Sequence, residues 1–147
     1  MRFFFPWETI LNWKRNLEEA SQMRLAAKAG ELKAQEEEIG RLRDRRLAHT
    51  QTLSEKSEKG MYAEEYAQYK QFAEDLHRDL LRREETKKEI IRELESEREN
   101  LIRLTKEKKI LEKLKEKKWK EFVDRSGHLE QKENDEIVVM KYRPPQH

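Results

Sequence analysis

The chain has 147 residues, 44% charged and 35% apolar, and its 33 Lys and Arg nearly cancel 31 Asp and Glu to leave +2. That apolar share is too small for a layered globular core, which leaves a disordered chain or long amphipathic helices. Acidic residues interleaved along a near-neutral chain also argue against nucleic acid as a partner, because they repel phosphates.

Met1–Pro6 reads as an extended aromatic arm. It is short and lacks the apolar stretch and small-residue cleavage site of a signal peptide. No apolar run approaches the ~18 residues that span a bilayer. With no cysteine there is no disulfide or thiolate chemistry. A soluble, cytoplasmic protein is the expectation. The prolines are Pro6, Pro144 and Pro145, so helices can run without interruption from Trp7 to Arg143.

A first helix is predicted over about 7–53. Its apolar stripe begins Ile10, Trp13, Leu17, Ala20 and resumes Leu25, Leu32, Ile39, Leu42. The step from Leu17 to Leu25 is one residue more than a heptad and predicts a phase slip. Gly30 and Gly40 weaken this arm by about 1 kcal/mol each against alanine. Thr50, Thr52, Ser54, Ser57 and Gly60 then cluster without a seam, which predicts a turn over about 54–61.

A second helix is predicted over about 62–140, ahead of a tail at 141–147. One core series is Tyr66, Ala73, Leu80, Lys87, Leu94, Leu101 and Lys108; the other is Tyr62, Tyr69, Leu76, Arg83, Ile90, Glu97, Leu104 and Leu111. The spacing alternates by three and four, the repeat that lets one helix lie along another. A disordered polar chain keeps no such repeat. A short connection makes the helices antiparallel neighbours. The predicted fold is therefore all-α: one domain, an antiparallel two-helix coiled-coil hairpin with unequal arms of ~70 and ~120 Å. Folding back at 54–60 puts Trp7 near residues 105–110 and leaves about Leu111–Met140 overhanging. That overhang still carries Leu114, Trp119, Phe122, Leu129, Ile137 and Val138, which implies a second chain.

Charge is uneven. Between Arg103 and Lys120 nine Lys and Arg face three Glu, and Arg41–Arg46 holds four Arg and one Asp. Such runs are either solvated faces or docking surfaces for an acidic partner. Lys113, Lys115, Lys117 and Lys118, with Trp119 and Phe122 as apolar anchors, form the first candidate partner site. Near the turn, Tyr66, Tyr69, Phe72 and Leu76 form the second. They either pack the end of the hairpin or present an aromatic recognition surface. The polar seam residues Arg83, Lys87, Glu97 and Lys108 set register or extend their stems outward.

No catalytic, cofactor or metal site is expected. The four glycines are isolated, so there is no phosphate loop, and His49, His77, His128 and His147 are far apart and read as solvent-facing. Glu36, Glu37 and Glu38 diverge on a helix. A two-helix packing offers no water-excluded concavity for a small-molecule substrate.

Three stretches together resemble the FliJ family, the small coiled-coil component of the bacterial flagellar type III export apparatus. The opening Phe3-Phe4-Phe5-Pro6-Trp7-Glu8-Thr9-Ile10-Leu11 is similar to that family's aromatic start and first helix. Lys59-Gly60-Met61 with Tyr66, then Tyr69-Lys70-Gln71-Phe72-Ala73-Glu74-Asp75-Leu76, is similar to its Gly-Met and Tyr-x-x-Phe-x-x-x-Leu segment. Glu130–Ile137 followed by Met140-Lys141-Tyr142 is similar to its close. The resemblance implies a shaft like that of the rotary ATPase γ subunit and a non-enzymatic role. The partners it implies are the hexameric flagellar export ATPase, the membrane export gate protein and export chaperones. It places the protein in the cytoplasm, peripheral to the inner face of the membrane at the flagellar base. Stalk proteins of type III injectisomes share the shape, and a generic structural homodimer is the other alternative.

Overall fold

The computed structural model describes residues 2–141; the expected tail beyond Lys141 lies outside the described residues. Two helices account for nearly all of it, α1 Glu8–Lys59 and α2 Ala63–Lys141, and the fold is all-α with the helices packed antiparallel. The chain divides into two compact units, Ala20–Leu101 and Met1–Glu19 with Ile102–His147.

The unit Ala20–Leu101 contains the turn. Helix α1 runs six residues past the expected end at 53. The Thr50 hydroxyl donates to the Arg46 carbonyl and that of Thr52 to the Ala48 carbonyl, each at 3.0 Å, so these polar residues are satisfied inside the helix. The turn shrinks to Gly60–Tyr62. Gly60 has φ +95°, a left-handed conformation that ends a helix and that glycine adopts without a Cβ penalty. Lys56 and Lys59 lie in the last turn of α1, and Glu64 and Glu65 in the first turn of α2, each where the helix dipole favours its charge. Ile39, Leu42, Leu76 and Leu80 form the buried cluster, and Ile90 and Leu94 are buried further along α2.

The α2 seam predicted from spacing is observed from Tyr69 to Leu111, every member buried or half-buried. Tyr62 is an exception at 85% exposed and precedes the helix, and Tyr66 is also exposed.

Arm one corrects its prediction. Ile10 and Trp13 are 45% and 57% exposed, whereas Leu11 is 0% exposed. The rest of the expected stripe, Leu17, Ala20, Leu25, Leu32, Ile39 and Leu42, is buried or half-buried, and the inward series at heptad spacing is Leu11, Lys14, Glu18, Ser21, Leu25, Lys28, Leu32, Gln35, Ile39, Leu42, His49 and Leu53. Their steps alternate by three and four, save one gap at Arg46, which occupies a seam position but is exposed. The heptad is therefore continuous and has no phase slip. Polar residues fill several of its positions, and they find polar partners on α2. Ser21 Oγ donates to Glu97 at 2.7 Å, Lys28 pairs with Glu93 at 2.5 Å, and Arg83 reaches Gln35 at 3.5 Å.

In the unit of Met1–Glu19 with Ile102–His147, Phe5, Leu11 and Leu104 are buried. Lys14 pairs with Glu107 at 2.6 Å, Glu18 with Lys108 at 2.9 Å, and Glu8 with Lys115 at 2.8 Å. The start of α1 thus pairs near residue 115 rather than 105–110. Every described residue from Gly127 onward is exposed, so the overhang is shorter than expected and begins there, not at Leu111.

Candidate functional site

The first candidate site lies beside the extended arm. Pro6 lacks a backbone donor and stands two residues before the helix; α1 then opens with the Leu11 amide donating to the Trp7 carbonyl at 2.9 Å. This entry turns the arm back along α2. The Phe3 ring meets Trp119 edge-on with centroids 5.2 Å apart and Phe122 at 5.5 Å, while Phe5 packs edge-on against Trp7. Arm and helix flank a half-open cleft of about 470 Å³, with Phe4, Trp7, Lys118, Phe122, Arg125 and Leu129 in its wall.

The basic cluster splits into two faces. Lys115 and Lys118 continue the seam at the same alternating spacing as far as Phe122. Lys115 binds Glu8 of α1, and Lys118 pairs with Glu121 at 3.5 Å along its own helix. Lys113 and Lys117 are exposed and keep their charge toward solvent. Phe3, Phe5 and Glu8 were not among the expected site residues. The signal that finds them is the seam continuing past Leu111, since a covered seam needs something to cover it.

The second candidate site lies at the tip. His49, expected in solvent, is half-buried at a seam position. Its ring stacks on Tyr69 at 5.0 Å and meets Phe72 at 4.7 Å, and its Nε2 donates to the Tyr69 carbonyl at 2.7 Å. Lys56 Nζ lies 5.0 Å over the Tyr69 ring. Its hydrogen bond with Tyr69, then that with Glu65, hold the Lys56 ammonium above its usual range. Leu76 belongs to the buried cluster, not the surface. Phe72 is 43% exposed and Tyr66 similarly so, and these two are the accessible aromatics of the group.

Inside the packing, three carboxyls are held below the ordinary 4.5. Lys108 does this for Glu18, Ser21 foremost for Glu97, and Lys14 for Glu107, each by a hydrogen bond that favours the charged form against partial burial. These groups are engaged in interhelical pairing. Among the described residues no cluster of three or more His, Cys, Asp or Glu is arranged to hold a metal ion, and no helix is long and apolar enough to cross a membrane.

The model of the family described as Flagellar FliJ protein matches residues 3–147. No curated protein and no solved structure matches the chain.

Proposed function

Because the chain belongs to the flagellar FliJ family and so to flagellar protein export, we propose that it is a non-catalytic, stalk-like component that engages the hexameric export ATPase and links it to the export gate protein and to export chaperones. It works in the cytoplasm, peripherally at the inner face of the membrane at the flagellar base. The observation that carries this reading is the family match over nearly the whole chain, joined to two-helix packing with accessible groups in each unit. The ATPase contact falls to the end that carries the arm, Lys113, Lys117 and the exposed helix beyond Leu129. A cationic face there suits a ring opening lined with acidic groups. The gate or a chaperone meets the tip at Tyr66 and Phe72.

The test is ATP hydrolysis by the purified export ATPase, titrated with wild type and with Lys113→Glu/Lys117→Glu. These two lysines are chosen because Lys115 is needed by Glu8, so reversing it also disturbs the fold. Stimulation should fall at least tenfold in the variant, with unchanged helix content. Equal stimulation by both proteins removes the basic face from the contact.

A further inference from the structure

Across the seam from the tip aromatics, within the unit Ala20–Leu101, the packing has a gap. On one side of it Leu42, Leu76 and Leu80 are buried; on the other His49 and Tyr69 stack. Between them the α1 seam position is Arg46, whose side chain is exposed, and the facing α2 position is Ala73, with only a methyl group to offer. Neither side chain fills the space that a pair of leucines occupies elsewhere. What remains is an open groove of about 510 Å³ lined by Arg46, Lys70, Ala73, Glu74, His77 and Arg78.

The lining is electrically lopsided. Arg78 is tied to Asp75 at 2.5 Å, but Arg46 and Lys70 have no ion-pair partner among the described residues. Glu74 is the one carboxylate in the wall. Two unpaired cations thus flank Ala73, the one apolar residue in the wall. A helix pair gains nothing from an arginine at a seam position that a leucine would close, since the apolar residue buries area and the arginine does not.

We propose that this groove is a docking site for an acidic peptide segment of a partner protein, one that lays a single large apolar side chain on Ala73 while its carboxylates meet Arg46 and Lys70. Guanidinium and carboxylate pair in a two-point geometry that fixes the direction of such a segment. A single-stranded nucleic acid fits less well. It needs aromatic platforms on which its bases stack, and the groove has none, while Glu74 would face its phosphates. The proposal is independent of the ATPase contact and of Phe72, which is not part of the groove.

The experiment uses the full chain and fluorescence anisotropy with a fluorescein-labelled peptide in which Leu-Phe is flanked by Glu and Asp on both sides. Two control probes are the same peptide with Lys in place of the acids, and a labelled oligothymidylate. Only the acidic peptide should bind, and its affinity should drop at least tenfold when salt rises from about 0.05 to 0.5 M. Arg46→Glu/Lys70→Glu should weaken binding at least tenfold. Ala73→Leu, which fills the floor, should do the same without lowering the melting temperature. Phe72→Ala should leave affinity unchanged. Absence of binding to wild type, unchanged affinity in either groove variant, or equal binding of the oligonucleotide would each overturn the proposal.

Discussion

Glu18 and Lys108, ninety residues apart in sequence, meet inside the helix pairing at 2.9 Å with little of either side chain exposed. Lys108 is the main compensation for the Glu18 carboxylate, with Thr105 and Lys109 contributing less. Lys108→Met should cost about 2 kcal/mol, less than the 3–5 of fully buried pairs because water still reaches the lysine. Adding Glu18→Leu should restore or exceed wild-type stability, since an apolar pair removes the stranded charge. Chemical denaturation of wild type and the two variants checks this. A single variant as stable as wild type would show that the pair contributes nothing.

The same pairing predicts a loss of stability in acid. Glu18, Glu97 and Glu107 have folded-state pKa values below 4.5, so the unfolded chain takes up protons first as pH falls. Their contribution is fully present above about pH 5 and is lost progressively as pH drops through the lowered values. The melting temperature by circular dichroism should be flat from about pH 8 to 5 and fall below it. Lys28, raised above 10.5 first by its bond to Glu93, acts in the opposite sense and only in alkali.

Leu11 and its neighbours Ile10 and Trp13 separate the true inner face of α1 from the apparent one. Leu11→Ala should cost about 2–5 kcal/mol, the range for emptying a buried leucine site. Ile10→Ala and Trp13→Ala, both on the exposed side, should each stay under about 1 kcal/mol. Thermal melts decide it, and a large loss at Trp13 would reverse the assignment of faces.

The helix-interior glycines are open to improvement. A Cβ at Gly30 or Gly40 would meet nothing within 4 Å. Gly30→Ala and Gly40→Ala should each stabilise by about 0.5–1 kcal/mol through helix propensity. Gly60→Ala should lose about 1–2 kcal/mol, because a side chain is strained at φ +95°. Denaturant midpoints give all three signs.

Phe72 tests the tip. Its ring touches His49 yet stays 43% exposed, so Phe72→Ala should lower stability by about 1 kcal/mol or less and leave helix content intact. Binding to the export gate protein, followed by calorimetry, should weaken at least fivefold. A large stability loss with unchanged binding would make Phe72 a packing residue only.

The sequence by itself determined the helices and the second arm. A proline-free stretch, one break and an α2 seam of mostly apolar residues at three-four spacing are local facts, and local propensity and patterning decide helices. It also singled out Trp119 and Phe122, but assigned them to a second chain, where the structure sets Phe3 of the same chain against them. Tertiary structure alone decided the polar positions on the inner face of arm one. Lys14, Glu18, Ser21, Lys28 and Gln35 look solvent-bound to any reading that follows hydrophobicity. They turn inward because Glu107, Lys108, Glu97, Glu93 and Arg83 wait on the other helix. A polar side chain can occupy a seam when its hydrogen bond is satisfied there, and that partner is fixed by antiparallel register, not by neighbours in sequence. Antiparallel pairing within each unit brought Phe3 to Trp119 and His49 to Tyr69. In the unit Ala20–Leu101 the register follows from a turn of three residues rather than eight, set where Gly60 leaves the helix.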